Sequence, residues 1–323
     1  MSKGYHHLTY SQRCQIFILK ERGESISEIA RQLGVHRSTV SRELRRGKKE
    51  NGYHYDIAQI QARERRKASY GRKISLGIID LATEKLKSQW SPEQISGWIR
   101  KNNLGAISHE TIYRYVWTDK RQGGTLYMHL RHNGKKYNKR SSGCAGRGCI
   151  PGRVDIKERP VIVEKKERIG DWELDTIIGA NHKGVIVSMV DRATKYTKLV
   201  KVPNKTAEEV SKALIKALEP IQEHVLTLTA DNGKEFSQHQ IIGKALGAQV
   251  YFATPYHSWE RGLNEHTNGL VRQYFPKAKK LEEISEQELQ EVELALNNRP
   301  RKVLLFETPA ERFARMSGLQ KCG

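Results

Sequence analysis

The chain has 323 residues, 37% of them hydrophobic, which is enough for two or three folded units with at least one sizeable core and excludes a disordered tail. Lys and Arg number 57 against 36 Asp and Glu, so the formal net charge is +21 at pH 7. A surplus of this size favours a polyanionic partner, and nucleic acid is the usual one.

The positive charge is concentrated in the first half of the chain. Residues 1–150 contain 30 Lys and Arg against 12 Asp and Glu, whereas residues 151–323 contain 27 against 24. We expect the first half to supply the affinity for phosphates, a contribution that salt weakens. The nearly balanced second half can hold an acidic metal site.

Membrane and zinc sites are not expected. The chain has no run of about 18 apolar residues, and MSKGYHHLTYSQR lacks the apolar core of a signal peptide. We therefore expect a cytoplasmic, nucleoid-associated protein without a membrane partner. Cys144 and Cys149 have no second Cys/His pair at zinc-ribbon spacing, and we interpret them as reduced thiols in a loop.

Residues 1–50 are predicted to form a helix-turn-helix DNA-binding domain. Their apolar positions follow a helical period that breaks at Gly23 and Gly34. The predicted helices lie near 9–21, 25–33 and 37–46. Ala30, Gly34 and Val40 have the spacing of the motif, with a small residue between two helices, a Gly for the turn and an apolar anchor. An ordinary three-helix bundle with a basic face is the alternative.

The third of these helices is the predicted recognition helix. Arg can pair bidentately with guanine in the major groove, and Ser and Thr hydroxyls bind phosphates or bases. The side chains that this helix would present to DNA are those of Arg37, Ser38, Thr39, Ser41 and Arg42.

The segments 51–88 and 131–160 are predicted to be basic linkers. They contain runs such as RERRKASYGRK and RHNGKKYNKRSSG, which are typical of solvated linkers. Contact with DNA phosphates is the second interpretation, because basic linkers between DNA-binding units often follow the DNA backbone.

Residues 89–130 are predicted to form a second helical unit. Ser91 can cap a helix that Pro92 begins and Gln94 closes with a capping box, and Ser108 can cap another helix after a turn at 102–105. The apolar faces of the two helices would consist of Ile95, Trp98, Ile99, Ile112, Tyr113 and Val116. A second helix-turn-helix and a plain helical hairpin fit these residues equally well.

Residues 161–323 change to alternating strands and helices and are predicted to form an α/β catalytic domain. Strands are predicted at 171–178, 184–190, 196–202, 224–230 and 249–253, and helices at 206–219 and 237–246. This order is typical of the ribonuclease-H-like architecture of retroviral integrases, with a mixed five-stranded sheet. Further helices are predicted near 259–274, near 284–297 and from Pro309.

Three carboxylates in this domain come from different predicted elements. They are Asp175 in WELDTIIG, Asp231 in VLTLTADNGKEF and Glu265 in RGLNEHTNGLVRQYFPK. Phosphodiester cleavage with two divalent ions needs several carboxylates that converge on the metals, and Mg²⁺ prefers few carboxylates plus water and phosphate oxygens. The predicted cofactor is therefore a pair of Mg²⁺ ions, for which Mn²⁺ can substitute.

Periodicity alone does not select these three acids. Asp171, Glu173 and Asp175 alternate along one predicted strand and share a face. Glu260 likewise competes with Glu265, and Glu235 competes with Asp231.

Four segments resemble the IS30 family of bacterial insertion-sequence transposases. They are DWELDTIIG, TADNGKEF, TPYHSWERGLNEHTNGLVRQYFPK and NNRPRKVLLFETPAERF, and the similarity spans nearly the whole chain, including the first helix-turn-helix. In that family the three catalytic acids align with Asp175, Asp231 and Glu265. Two departures lie beside these acids: His266, where the family usually has Asn, and KVLLFETP, where it usually has a Leu-Gly/Asn-Phe/Trp-Arg/Lys-Thr-Pro run.

Further side chains are predicted to support this site. Glu265, Asn268 and Arg272 share one helical face, so Asn268 and Arg272 are predicted to hold the DNA end, with an ion pair as the alternative for Arg272. Gly233 permits close backbone approach beside Asp231, and Lys234 is predicted to meet a phosphate. His257 fits either contact with the scissile phosphate or a structural hydrogen bond. We interpret three aromatic residues as core residues: Trp172, Trp259 and Tyr274.

The resemblance implies a DNA transposase that binds the terminal inverted repeats of an insertion sequence and catalyses Mg²⁺-dependent strand cleavage and strand transfer. Its partners would be the double-stranded DNA of the repeats and of the target, together with further copies of the chain, since two ends must assemble. One rival function is a helix-turn-helix transcriptional repressor with an inactive ribonuclease-H-like domain. The other is a structure-specific nuclease that only hydrolyses DNA.

Overall fold

The computed structural model describes residues 7–49, 52–69, 74–131, 150–254 and 262–318. The chain divides into two units, Met1–Ile74 and Ser75–Gly323.

The first unit contains the three predicted helices, α1 (Tyr10–Glu21), α2 (Ile26–Gln32) and α3 (Arg37–Gly47). Thr9 and Gln12 form a capping box at the start of α1, because each side chain accepts the backbone N–H of the other. Gly23 and Gly34 have φ angles of +80° and +64°, in the left-handed region that glycine adopts without a steric penalty. Each glycine follows a helix, so the predicted breaks and the helical N-terminal fold are confirmed.

The core of the first unit lies between these helices. Ile16, Ile29 and Val40 are fully buried, and Ala30 is 3% exposed. Arg13 Nε also lies 2.6 Å from Glu43 Oε1 beneath the surface, an ion pair that joins α1 to α3. The burial of Ala30 and Val40 agrees with their predicted places in the helix-turn-helix.

The segment 51–88 differs from its prediction as a linker. A short hairpin, β1 (Lys48–Lys49) and β2 (Gly52–Tyr53), leads into α4 (Tyr55–Ser69), which packs against α1 and α3. A further helix, α5 (Leu76–Lys87), begins the second unit. The many charged residues of α4 make its apolar face hard to recognise in the sequence. Ala58 and Ala62 on that face are buried.

The second unit continues with α6 (Pro92–Lys101) and α7 (His109–Arg121). Ser91 and Gln94 form the predicted capping box, and Ser108 caps α7. The predicted apolar residues Ile95, Ile99, Ile112 and Val116 are at most 1% exposed, whereas Tyr113 is 39% exposed and lies outside this core. Successive side chains of an α-helix point in different directions, so Tyr113, which follows the buried Ile112, points towards solvent.

Helix α6 packs against the C-terminal part of the second unit. A Cβ on Gly97 would lie 2.2 Å from the ring of Phe306, so only glycine permits this approach. Lys302 Nζ lies 2.6 Å from Glu93 Oε1 across the same boundary. The helical segment after Ser75 therefore packs onto the C-terminal α/β domain.

A mixed five-stranded sheet lies at the centre of the second unit. Its strands are β3 (Asp171–Ile178), β4 (Val185–Asp191), β5 (Thr197–Val202), β6 (Thr227–Ala230) and β7 (Gln249–Phe252). The spatial order is β5-β4-β3-β6-β7, in which β3, β4 and β5 are antiparallel and β6 and β7 run parallel to β3. This confirms the predicted sheet, although β6 begins later than expected because residues 219–224 form a 3₁₀ helix.

Helices cover both faces of the sheet. They are α8 (Val161–Lys165), α9 (Ala207–Leu218), α10 (His239–Leu246), α11 (Gly262–Tyr274), α12 (Glu286–Asn297) and α13 (Pro309–Ser317). One core packs α9, α10 and Phe313 against Trp172 and Leu174, and the other packs α11 and α12 against Ile177 and Ile186. The central strand β3 is therefore enclosed on both sides.

The core also extends N-terminally beyond residue 161. Ile150 is 4% exposed in the first of these cores, and Phe252 N–H donates to Val154 O at 2.9 Å. The described part of the predicted linker 131–160 that follows residue 149 is thus part of the C-terminal α/β domain.

Two of the three predicted core aromatics lie among the described residues. Trp172 is fully buried and donates from Nε1 to His224 O at 2.8 Å, and Tyr274 is half-buried against the α11 core. Trp259, like Cys144, Cys149, His257 and Glu260, lies outside the described residues. Throughout the described ranges, no helix is long and apolar enough to cross a membrane.

Candidate active site and nucleic-acid interface

The three acids of β3 have different surroundings. Asp171 is 1% exposed and accepts two hydrogen bonds from Arg168, each of 2.9 Å, and one of 2.8 Å from Thr227 Oγ1. Glu173 is 2% exposed, and its Oε1 lies 3.2 Å from Arg192 Nη1. Asp175 is less buried than either and lies furthest along the strand. Burial thus favours Asp175 as the acid that meets a substrate.

The pairing of β3 with β6 brings the segments that carry Asp175 and Asp231 to the same end of the sheet. Glu173 on β3 pairs with Thr229 on the parallel strand β6. This is the last pair of that register, and Asp175 and Asp231 each follow it by two residues, Asp231 just after β6 ends at Ala230. The two acids therefore follow the same paired positions of two neighbouring parallel strands.

The turn after β6 fixes the orientation of Asp231. Its Oδ1 accepts the N–H of Gly233 at 2.9 Å, and the Asn232 amide donates to Ala253 O at 2.7 Å. Arg153 holds the other end of that amide by donating to Asn232 Oδ1. Lys234 is exposed on the same turn.

Helix α11 is fastened to β3 by three side chains spaced one turn apart. Asn264 donates to Leu174 O at 3.1 Å, Asn268 donates to Asp175 Oδ2 at 2.7 Å, and Arg272 donates to Ile178 O at 2.6 Å. Ser188 on β4 completes the arrangement by donating to Asn268 Oδ1 at 3.1 Å. We call Asn264, Asn268 and Arg272 the α11 clasp.

The α11 clasp changes the interpretation of two predicted DNA contacts. Asn268 and Arg272, which share a helical face with Glu265, use that face to bind β3. Burial lowers the pKa of the Arg272 guanidinium, which is the expected direction for a cation removed from water. Glu265, on the same helix, is exposed at the surface.

The donor set fits a hard divalent cation, since three carboxylates can supply the oxygen ligands that Mg²⁺ prefers. Within the described ranges, however, no three His, Cys, Asp or Glu side chains lie close enough together to hold a metal ion. Asp175 is turned towards Asn268 and Asp231 towards Gly233, and mutual repulsion disfavours convergence of several carboxylates without a counter-ion.

Glu235, the rival of Asp231, has a different set of contacts. It is 4% exposed, and its Oε1 accepts Thr176 Oγ1 at 3.0 Å and lies 2.7 Å from Lys205 Nζ. Gly233 permits this arrangement, because a Cβ there would lie 2.4 Å from the Glu235 carboxylate. Glu235 therefore connects the turn after β6 to the strand that carries Asp175.

The predicted recognition helix α3 presents a basic surface within the first unit. Arg37, Ser41 and Arg42 are exposed, and Ser38 and Thr39 are half-buried. Ser38 Oγ accepts Arg42 Nη2 at 3.0 Å, and Arg42 Nε donates to Ser38 O at 3.0 Å. The Arg42 side chain is thus held along the first turn of α3.

Several functional contacts were not predicted from the sequence. Exposed Arg45 and Arg46 extend the basic surface of α3. Asn264 binds the Leu174 carbonyl, Arg153 binds the Asn232 amide and Lys205 pairs with Glu235, all beside the proposed site. The charge run RELRRG was a usable signal for the two arginines. The supporting residues are distant in sequence from the groups that they bind, so spacing gave no signal for them.

Two family models match the chain, a helix-turn-helix domain over residues 4–47 and an integrase core domain over residues 166–258. The transposase for insertion sequence element IS4351 of Bacteroides fragilis is 46% identical over 310 residues, which is 95% of each chain. The transposase InsI for IS30A of Escherichia coli K12 is 36% identical over 96% of this chain and 84% of its own length. The chain belongs to the IS30 family of insertion-sequence transposases.

This IS30-family transposase also has a structural match. The catalytic core domain of BIV integrase covers 46% of this chain and 95% of that chain, with 23% identity and a TM-score of 0.36. The integrase core model includes Asp175 and Asp231 and ends before Glu265. Helix α11, which carries the third acid, thus lies outside the matched residues.

Proposed function

We propose that this chain binds the terminal inverted repeats of its insertion sequence and catalyses Mg²⁺-dependent cleavage and strand transfer of DNA. The observation that supports this most directly is the parallel pairing of β3 with β6, whose last pair, Glu173 and Thr229, precedes Asp175 and Asp231 by two residues in each segment. This pairing supports a shared site for two of the three carboxylates that align with the family's catalytic acids. Asp175, Asp231 and Glu265 are the proposed catalytic residues and metal ligands.

Each residue has a separate part in the proposed reaction. Asp175 and Asp231 would hold one side of a divalent ion pair, and Glu265 would approach from α11. A bound pair of Mg²⁺ ions, or Mn²⁺ in their place, supplies activation of the attacking oxygen and stabilisation of the leaving oxygen. Asn268 orients the Asp175 carboxylate, and the turn at Gly233 orients that of Asp231.

Two successive in-line displacements account for cleavage and joining. Water attacks the phosphodiester at the element's end, so that the new P–O bond forms as the bond to the 3′ oxygen breaks and leaves a 3′-OH. That hydroxyl then attacks a target phosphodiester in the same way, and no covalent protein intermediate is needed. Lys234 is exposed beside Asp231 and is our proposed contact to a backbone phosphate.

The DNA contacts are divided between the two units. Arg37, Ser38, Thr39, Ser41 and Arg42 on α3 are the proposed readers of the repeat sequence. Joining needs two element ends and a target in one complex, so we propose that the active form contains at least two copies of the chain.

One experiment separates this function from its two rivals. Purified protein is incubated in Mg²⁺ with pre-cut element ends and a target plasmid, and Asp231→Asn is compared with the unmodified chain. We expect joined product from the unmodified chain, and none from the variant, which should bind the ends with unchanged affinity. A repressor would bind ends without joining them, and a nuclease would cut DNA without joined product; either result would refute the proposal.

A further inference from the structure

A cleft of about 740 Å³ lies on the α11 side of the sheet, and none of the three proposed catalytic acids lines it. Its walls come from the segment before β3, the turn after β4, the first half of α11 and the loop before α13. Five cations line it, Lys157, Lys166, Arg192, Lys195 and Arg301, against the carboxylates Glu164 and Glu173. Cations therefore exceed carboxylates by three, and an anion that enters the cleft is attracted.

Two of these cations are buried with unused donors. Arg192 is 3% exposed; its Nη2 lies 2.9 Å from Glu164 and its Nη1 lies 3.2 Å from Glu173. Arg301 is 7% exposed and donates from Nη2 to Leu296 O at 3.0 Å. Among the described residues, neither Nε atom has a hydrogen-bond acceptor. A buried N–H without an acceptor loses the hydrogen bond that it made to water in the unfolded chain, so an oxyanion that accepts from these atoms is stabilised.

The pKa values of two cations in the cleft are lowered, as its excess of positive charge predicts. Burial lowers the pKa of Lys195 to about 8, and repulsion from Lys166 adds to the effect. Burial, followed by repulsion from Arg299, lowers the pKa of Arg301 to about 9. Both groups are destabilised as cations, and both would regain stability beside an anion.

The shape and position of the cleft indicate which anion it fits. Leu263, Ile156 and Val303 add apolar wall beside the cations, as a sugar and a base need beside a phosphate. His266 also lines the cleft, and its neighbour on α11 is Glu265. Consecutive Cα atoms lie about 3.8 Å apart, so the stretch of α11 that lines the cleft at His266 also carries the proposed third catalytic acid.

We propose that this cleft binds a backbone phosphate of the DNA strand that continues from the reacting phosphodiester, with Arg192, Lys195 and Arg301 as its ligands. The inference rests on the proposed function, since it assigns a path to the strand on which that function acts. It gives the NRPR segment, which contains Arg301, a direct contact to substrate. It also places the turn after β4, which carries Arg192 and Lys195, at the DNA.

The first test is protection of an amine. The full-length Asp231→Asn protein is acylated near pH 8 with an amine-reactive ester, with and without a short single-stranded oligonucleotide, and the modified lysines are mapped by peptide mass spectrometry. We expect the oligonucleotide to protect Lys195 and to leave Lys216 unprotected, because Lys216 is exposed on α9 at the opposite face of the sheet. Equal protection by free deoxycytidine monophosphate at the same phosphate concentration would indicate a free-nucleotide site and overturn the strand assignment.

The second test is the salt dependence of binding. Lys195→Met removes one proposed phosphate contact, so the slope of log Kd against log salt should fall by about 0.7 for a single strand. Lys216→Met removes the same charge elsewhere and should leave the slope unchanged. An unchanged slope for Lys195→Met overturns the proposal, even if acylation of Lys195 proves too slow to map. Because both tests measure binding, a protein that fails to join DNA but passes them would refute the proposed function and not the cleft.

Discussion

The hydrogen bond from Asn268 to Asp175 predicts that Asn268 positions this carboxylate and does not contact DNA. In Asn268→Ala the Asp175 carboxylate loses a donor at 2.7 Å, and the Ser188 hydroxyl loses its acceptor at 3.1 Å and keeps only Asp175 O at 3.4 Å. A hydrogen bond to a charged group contributes about 1.5–3 kcal/mol. At about 1.36 kcal/mol per tenfold change in rate, loss of this orientation should slow joining by about 10- to 150-fold.

The assay measures joining of pre-cut ends over a range of Mg²⁺ concentrations, together with the affinity for the same ends. We expect the variant to need more Mg²⁺ for half-maximal joining and to bind DNA as the unmodified chain does. Gln287→Ala, which removes an exposed amide from α12, is the matched control and should change neither quantity. If Asn268→Ala weakened DNA binding while joining by the bound complex kept its rate and Mg²⁺ dependence, the side chain would be a DNA contact and the positioning argument would be refuted.

Three further predictions concern the units and their stability. Deletion of residues 1–74 should remove most of the salt-sensitive affinity for element ends, and equal affinity of the remaining chain in a salt titration would contradict the assignment of α3. Gly97→Val should force Phe306 aside and destabilise the second unit by about 1–3 kcal/mol, seen as a melting temperature lower by several degrees, whereas Gly77→Val, in open space on α5, lacks this clash. Lys195 has its pKa lowered to about 8 by burial, so its charge opposes folding at neutral pH. Any stability that Lys195→Met gains at pH 7 should therefore shrink as the pH rises from about 8 towards the unfolded value of about 10.4, and a pH-independent difference in melting temperature would contradict the shift.

The sheet was predictable because its strands carry strong local signals. The run GVIVSMV is apolar on both faces, as a strand enclosed between two layers requires, and it forms the fully buried strand β4. The starts of helices α1 and α6 are marked in the sequence by pairs of capping residues, Thr9 with Gln12 and Ser91 with Gln94. In each case the residues that determine the element are neighbours in sequence.

The contacts of the α11 clasp could not be predicted from the sequence. Helical periodicity placed Asn268 and Arg272 on the face of Glu265, and that much agrees with the structure. Periodicity does not show what the face contacts, and an amide or a guanidinium can serve a phosphate and a backbone carbonyl equally well. Which of the two groups these side chains bind depends on the distance from α11 to β3. Packing of Leu270 and Val271 against Ile177 sets that distance, and neighbouring residues in the sequence do not reveal it.

The acids of the proposed site are positioned by two different kinds of interaction, and this difference has a consequence for mutagenesis. Asp175 and Asp231 each follow by two residues the last backbone pair of β3 with β6, and such pairing tolerates many side-chain changes. Glu265 is placed by α11, and α11 is held to β3 by the side chains of the clasp. Substitutions in the clasp should therefore displace the third acid while the first two keep their register. Asn264 donates to the backbone of β3 at Leu174 and not to Asp175. A substitution at Asn264 therefore tests displacement of Glu265 separately from loss of the hydrogen bond that orients Asp175.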